Sequence, residues 1–210
     1  GFKIRLIMQL NESVQRAIGK SVNPFTEKHS KVIDKLELIL EKGIPDHTMS
    51  ELATKLKVSL RTLYEIAPSK EHLIRMTVNR ILVRLGKNAL DAVEGINSPI
   101  EKLEKYLEQA NQAVGPKFKV YLQSLGNNDK SKKMIDYHED YITSYTKELL
   151  DRAIVKKEIK KIDTQAFALL LGGIGREFAK EENIDKLSDS PEKSANSITK
   201  IILNGIRIDN

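Results

Sequence analysis

The stretch TMSELATKLKVSLRTLYEIAPSKEHL, residues 48–73, predicts two short helices and the start of a third. Thr48 followed by Glu51 is typical of a capping box, in which the two side chains satisfy free N–H groups at a helix start. Apolar residues then recur at helical spacing up to a tight turn at Lys57, and Ser59 caps the next helix. Two short helices joined by a tight turn, the second flanked by basic residues, predict a helix-turn-helix.

This stretch resembles the DNA-binding signature of the tetracycline-repressor-like (TetR) family. Lys57 stands where that family usually has a turn glycine, so a non-glycine residue is expected to adopt a positive φ there. Ala67 replaces the usual Phe, which removes a large core contact. The rest of the chain resembles the family only in its helical layout. The residues that match the signature are Ala53, Val58, Ser59, Thr62, Leu63, Tyr64, Ser69, Lys70, Glu71 and Leu73.

The resemblance implies an all-α protein with two domains. Residues 24–72 would form a three-helix helix-turn-helix DNA-binding domain, and residues 73–210 a helical ligand-binding and dimerisation domain. It also implies a homodimer that acts as a repressor by binding an inverted-repeat operator in double-stranded DNA, and that an unknown small-molecule effector releases. Residues 1–23 precede these domains as an N-terminal extension that can form an amphipathic helix. An arm that follows DNA phosphates or a minor groove, a helix packed on its neighbours and an unstructured leader all stay open.

The surplus positive charge of the chain lies in the half that contains the motif. Residues 1–88 hold 16 Lys and Arg against 9 Asp and Glu, a net charge of +7, whereas the remaining residues, with 19 against 20, carry −1. A polyanion is the simplest partner for such a basic segment. A basic surface that only aids solubility is the alternative, and the motif favours DNA.

The second helix of the motif is the predicted recognition helix. Its N-terminal residues are expected to enter the major groove, where Arg61 can donate two hydrogen bonds to guanine O6 and N7. Tyr64 and Lys70 match family positions that contact phosphate, and Thr48, at a helix N-terminus, is placed for the same role. A packing aromatic is the alternative for Tyr64, and a solvated charge for Arg61. The predicted DNA-binding residues are Thr48, Ser59, Leu60, Arg61, Thr62, Tyr64 and Lys70.

A tyrosine stripe on a long predicted helix, residues 130–155, suggests a small-molecule pocket. Its large side chains recur at spacings of three and four, which places them on one helical face. Tyrosine combines an apolar ring with a polar tip and so suits such a pocket, although plain core packing is the alternative. The candidate pocket residues are Tyr121, Met134, Tyr137, Tyr141 and Tyr145.

A glycine-rich apolar helix and the last helix of the chain are the candidates for dimerisation. Each glycine inside a helix costs about 1 kcal/mol against alanine, so the close approach of another helix is expected to offset that cost. In the resembled family the last two helices form a four-helix dimer interface. Packing within one chain is the alternative. The predicted interface residues are Phe167, Leu171, Gly172, Gly175, Ile198 and Ile202.

Composition and motifs exclude several classes of function. The chain has no cysteine, which rules out disulfides and thiolate chemistry. It contains no glycine-rich phosphate loop, nucleophile elbow or metalloprotease motif, so we expect no enzyme activity and no cofactor or metal. His29 and His47 are expected to be isolated surface histidines. The longest apolar run, residues 166–174, is too short to span a bilayer, and we expect a cytoplasmic protein without a membrane partner.

A second function stays open, namely a helical ligand-binding or scaffolding dimer with weak or lost DNA binding. Lys57 and Ala67 depart from the signature, and Glu65 adds a negative charge to the predicted recognition helix. A carboxylate there is expected to repel DNA phosphates.

Overall fold

A computed structural model describes residues 26–43, 46–115, 119–121, 123, 125 and 128–208 of the chain. In these residues the regular elements are helices, which confirms the predicted all-α fold, and an isolated antiparallel bridge joins Ile159 to Arg207. The predicted N-terminal extension, residues 1–23, lies outside the described residues. The helices are α1 (Glu27–Leu40), α2 (Met49–Leu56), α3 (Leu60–Ile66), α4 (Lys70–Ala92), α5 (Pro99–Ala110), a 3-10 helix (Asn111–Val114), α6 (Asp129–Val155), α7 (Thr164–Phe178), α8 (Glu181–Ile184) and α9 (Pro191–Ile206).

The chain forms two compact units. The first comprises Gly1–Val83 and Val120–Met134, and the second Arg84–Lys119 and Ile135–Asn210. One boundary falls inside α4 and another inside α6, so this division does not follow the ends of helices. The functional bounds predicted from the sequence, 24–72 and 73–210, stay a prediction.

The first unit buries one face each of α1, α2 and α3. Helix α2 contacts both α1 and α3. Because α2 has 8 residues and α3 has 7, neither is long enough to be stable alone in water, and burial has to hold them. Each fully buried aliphatic side chain contributes about 1.5–3 kcal/mol. The buried residues on these helices include Val32, Ile33, Leu36, Leu40, Leu52, Ala53, Leu56, Leu63 and Ile66.

The turn between α2 and α3 is a left-handed cap at Lys57. This residue has φ 57° and ψ 47°, which confirms the positive φ expected where the family has glycine. The N–H of Lys57 donates to the carbonyl of Thr54 at 3.1 Å, and the N–H of Val58 donates to that of Ala53 at 3.0 Å. These hydrogen bonds satisfy the last carbonyls of α2, and Ser59 caps α3 directly afterwards.

In the second unit, α9 packs against α5, α7 and the 3-10 helix. The start of α5 is held by Glu158, whose Oε2 accepts hydrogen bonds from Ser98 Oγ at 2.9 Å and from the N–H of Ile100 at 3.0 Å. Two elements of this unit are very short. Helix α5 changes to 3-10 geometry after Ala110, and α8 has four residues. Both are single-turn features, for which periodicity gives little signal.

Helix α4 contains one glycine and is followed by another, in different backbone conformations. At Gly86, inside the helix, an added Cβ would meet no atom within 4 Å. Gly95, beyond the helix end, has φ +84°. The first glycine therefore has no packing reason, whereas the second allows a conformation that other residues rarely adopt.

We expect Gly86→Ala to raise the free energy of unfolding by about 0.5–1 kcal/mol, because alanine loses less backbone entropy in a helix. The matched change Gly95→Ala is expected to lower it by about 1–2 kcal/mol, because an L-residue is strained in the left-handed region. Urea unfolding followed by circular dichroism measures both. A loss of stability in Gly86→Ala would contradict the open surroundings of that position.

Candidate nucleic-acid interface

Helix α3 presents a polar face to solvent at its N-terminal end. Leu63 and Ile66 fix its rotation by lying in the core. This rotation leaves Leu60 partly exposed, the Tyr64 side chain about half exposed at 52%, and the Arg61 side chain 89% exposed. Arg61 and Tyr64 can therefore reach a partner without any change in the fold.

Thr62 does not belong to this exposed face, contrary to its predicted place among the base contacts. It is 3% exposed, and its hydroxyl lies 2.8 Å from Ser59 Oγ. Ser59 Oγ also accepts a hydrogen bond from the N–H of Thr62 at 3.1 Å. Thr62 is therefore part of the helix cap, because the helical rotation that buries Leu63 also turns Thr62 inwards.

The start of α2 is closed by the predicted capping box. Glu51 Oε2 accepts hydrogen bonds from the N–H of Thr48 at 2.7 Å and from its hydroxyl at 2.9 Å. These bonds, the backbone one foremost, hold the pKa of Glu51 below its usual value. Thr48 is exposed but both of its donors serve Glu51. A phosphate here would have to use the N–H groups of Met49 and Ser50, which precede the first intrahelical bond from Leu52.

Two exposed lysines next to the turn are further candidates for phosphate contact, a role that the sequence analysis did not assign to them. Lys55 lies in the last turn of α2, and Lys57 is the left-handed residue itself. Their sequence could have indicated this role, because a lysine stands on either side of Leu56 within the segment of net positive charge. Lys70 is half-exposed and is the first residue of α4, the helix that follows α3 in the sequence.

His29 is buried, although the sequence suggested a surface histidine. It is 6% exposed and takes the position in the α1 capping box that glutamate or glutamine usually has. Its Nδ1 accepts a hydrogen bond from the N–H of Thr26 at 3.3 Å, and its Nε2 lies 3.5 Å from Glu65 Oε2. The other oxygen of Glu65 lies 3.2 Å from Arg61 Nε. The spacing of Thr26 and His29 was the available signal for the cap.

The tyrosine stripe lies on α6 in the second unit, with a tyrosine from α5 against it. The rings of Tyr106 and Tyr145 meet edge to face with centroids 4.7 Å apart, and Tyr141 stacks on Tyr145 at 6.4 Å. Burial raises the pKa of the phenols of Tyr106 and Tyr141, which keeps both neutral. Tyr137, on the same helix, is half-buried. Tyr106 was missed by the prediction, since it lies on another helix.

The other two predicted pocket residues, Tyr121 and Met134, belong to the first unit and are buried. Near the stripe, burial lowers the pKa of His138 to about 4, so its ring is neutral at pH 7. Aromatic rings together with an uncharged imidazole suit an uncharged or amphipathic molecule. The ligand pocket itself stays a prediction.

Two of the glycines in α7 pack within the chain. An added Cβ at Gly172 would lie 2.8 Å from Thr143 Oγ1, and one at Gly175 would lie 3.0 Å from Val114 Cγ1. Leu171 is also buried inside the protomer. Leu171 and Gly175 therefore do not form an exposed face, because they hold α7 against neighbours in the same chain.

A different set of residues on α7 and α9 is exposed and apolar. Phe167 and Ile202, predicted for the interface, are half-buried, and Ile198 is exposed. Gly173 and Gly205 lie one helical turn from exposed leucine and isoleucine side chains, and a Cβ added at either would meet no atom within 4 Å. The exposed large apolar residues of these two helices are Leu169, Leu170, Ile198 and Ile201.

Among the described residues, no group of three or more His, Asp or Glu side chains is arranged to hold a metal ion. In the same part of the chain, every helix is too short or too polar to cross a membrane.

No protein-family model matches the sequence, and no curated protein matches it. Solved structures do match the fold. A transcriptional regulator from Cytophaga hutchinsonii has a TM-score of 0.70 at 15% identity, covering 87% of this chain and 100% of that one. A TetR-family transcriptional regulator from Pectobacterium atrosepticum has a TM-score of 0.65 at 14% identity, covering 87% of this chain and 95% of that one.

The fatty acid degradation regulator FadR from Bacillus halodurans has a TM-score of 0.64 at 17% identity, and the match covers 85% of this chain and 100% of that one. At these identities the likeness concerns the fold. Together with the helix-turn-helix at residues 48–73, it identifies the architecture: this chain has the fold of the TetR family of transcriptional regulators.

Proposed function

We propose that the chain is a transcriptional regulator that binds double-stranded DNA through α3, and that it acts as a repressor. The observation that carries this proposal is the exposure of Arg61 and Tyr64 on the second helix of a helix-turn-helix whose core residues fix that helix firmly. The net charge of +7 on residues 1–88 supplies the long-range attraction to a polyanion. An arginine at the start of such a helix can read guanine, while lysines around it bind phosphate.

Substitution of Arg61 and Lys70 should separate base reading from phosphate binding. We expect Arg61→Ala to weaken the preferred site, found by selection from random-sequence DNA, by about 1–3 kcal/mol, with little effect on random DNA. Lys70→Ala should weaken both and reduce the slope of log affinity against log salt by about one. Fluorescence anisotropy over a salt series measures this.

Arg152→Ala, on an exposed arginine of α6 in the second unit, is the matched control and should change neither quantity. If wild-type protein retains no DNA at low salt, the chain is instead the ligand-binding or scaffolding dimer with lost DNA binding. Equal effects of the Arg61 and Lys70 changes on selected and random DNA would contradict the assigned roles.

We further propose a homodimer formed by α7 and α9, which would present two copies of α3 to an inverted-repeat operator. The support is that these two helices pack on each other and that each exposes a pair of large apolar side chains. Exposed apolar side chains grouped in this way are typical of interfaces. Gly173 and Gly205 would allow the partner's helices to approach these faces closely.

The dimer should dissociate when a charge enters the exposed apolar face. A buried leucine is worth about 1.5–3 kcal/mol, and a two-fold interface loses it twice, so Leu170→Glu should raise the dimer dissociation constant by about 10²- to 10⁴-fold. Sedimentation velocity over a concentration series measures this. Leu38→Glu, at an exposed leucine of α1, is the control and should remain dimeric.

Gly173→Leu tests the same surface without a charge. Open space around its Cβ predicts a folded protomer that fails to dimerise, whereas Gly172→Leu would collide with Thr143 inside the protomer. Wild-type dimerisation of both Leu170→Glu and Gly173→Leu would place the interface elsewhere.

We also propose that an apolar or amphipathic small molecule binds at the tyrosines of α6 and releases the DNA. Support comes from the stacked and edge-to-face rings of Tyr106, Tyr141 and Tyr145, whose phenols stay neutral. One protein of the same fold is a fatty acid degradation regulator, which makes long-chain fatty acids the first probes to use.

Tyr141→Ala should abolish release of DNA by such a probe while DNA affinity without the probe stays within about twofold of wild type, since Tyr141 belongs to the second unit and α3 to the first. Tyr141→Phe keeps the ring and should respond as wild type if packing, not the hydroxyl, recognises the ligand. Anisotropy of labelled DNA during fatty acid titration measures release. A wild-type response of Tyr141→Ala would contradict the proposed ligand site and indicate that these rings only pack in the core.

A further inference from the structure

Glu65 is an acidic residue on the helix for which we propose DNA contact, and it is held between two basic side chains. Its Oε1 lies 3.2 Å from Arg61 Nε, one turn earlier on α3, and its Oε2 lies 3.5 Å from His29 Nε2 on α1. The side chain of His29 is 8% exposed, that of Glu65 38% and that of Arg61 89%. The three side chains therefore run from the core of the first unit out to solvent.

The inner end of this series is rigid. His29 Nδ1 accepts a hydrogen bond from the N–H of Thr26, and Thr26 Oγ1 accepts one from the N–H of His29. Because Nδ1 is an acceptor, the ring carries its proton on Nε2, the nitrogen that faces Glu65. A buried ring that is fixed by a helix cap gives Glu65 a stationary partner on another helix.

The outer end determines how Arg61 is presented. Glu65 engages the guanidinium through Nε, and the exposure of Arg61 leaves its two terminal nitrogens facing solvent. Those nitrogens carry four N–H groups, enough to donate a pair of hydrogen bonds to O6 and N7 of guanine. A long exposed side chain without such a partner would lose its rotamer freedom on binding.

We propose that Glu65 is a positioning residue for base reading, which orders Arg61 so that its terminal nitrogens face the base edge. This inference rests on the proposed DNA-binding function. The negative charge of Glu65 is matched by Arg61 and by the imidazole N–H of His29, so its place on this helix does not argue against DNA. Ordering one rotamer-rich side chain in advance is worth about 2- to 10-fold in affinity.

Two other roles for Glu65 make different predictions. If the carboxylate itself accepts a hydrogen bond from cytosine N4, it specifies a base whether or not Arg61 is present. If it only repels phosphate, its removal strengthens binding to every sequence alike. Both can be separated from positioning by a double-mutant cycle.

The experiment uses the full chain and DNA sites selected by the wild-type protein. Discrimination is the affinity for the selected site divided by that for sites with each base pair changed in turn. We expect Glu65→Ala to lower discrimination about 2- to 10-fold at the guanine where Arg61→Ala removes it. Glu65→Gln should restore most of it, because the amide oxygen still accepts from Arg61 Nε. In the Arg61→Ala background, Glu65→Ala should have no further effect.

Glu27→Ala is the matched control, because Glu27 also forms an exposed i,i+4 pair, with Lys31 at 2.8 Å in the same unit. It should leave discrimination unchanged, and circular dichroism checks that every variant is folded. Wild-type discrimination in Glu65→Ala overturns the inference, and so does an equal loss with or without Arg61 or a uniform gain on all DNA. If the wild-type protein selects no sequence, the proposed function fails and the inference fails with it.

Discussion

The left-handed turn at Lys57 is the constraint on which the candidate DNA surface depends. A lysine in this conformation costs about 1–2 kcal/mol relative to the right-handed region. The hydrogen bonds from Lys57 and Val58 to α2 carbonyls offset part of this cost. The rest is offset by burial, because with this turn Leu56 of α2 and Leu63 of α3 are both fully buried. The strain is thus a consequence of packing two very short helices together.

That same packing decides which side chains of α3 face outwards. Burial of Leu63 and Ile66 fixes the rotation of the helix. Because the helix has only 7 residues, few other positions remain for exposed side chains. Arg61 is exposed because of this rotation, and Thr62 is buried for the same reason. Burial in the core therefore decides which side chains α3 exposes, independently of any contact with DNA.

Features that depend on neighbours in the chain could be predicted from the sequence. The capping box of Thr48 and Glu51 and the cap at Ser59 follow from side chains three residues apart. The positive φ of Lys57 follows from the family resemblance, which has a turn glycine at that position. The all-α fold follows from helical periodicity over long segments. The resemblance to one family then placed the second short helix of the motif correctly in the chain, because its signature is itself local.

Features that depend on contacts between distant segments could not be predicted in this way. His29 looked like a surface residue, since nothing in its neighbourhood indicated that Glu65 would lie against it. Tyr106 was missed because its partner Tyr145 is on another helix. Thr62 matched the family signature, but a sequence match does not tell whether a side chain is exposed.

The glycines of α7 illustrate why such contacts matter for function. The cost of glycine in a helix is a reason to look for a close neighbour, but the sequence does not say whether one exists or whether it belongs to the same chain. Gly172 and Gly175 have neighbours within the protomer, whereas Gly173, between them in sequence, has open space. Because successive residues point about 100° apart around a helix, one short run of glycines serves two different surfaces. Of these three glycines, only Gly173, with the apolar residues beside it, is open to a partner protomer, and the other two belong to the fold of the single chain.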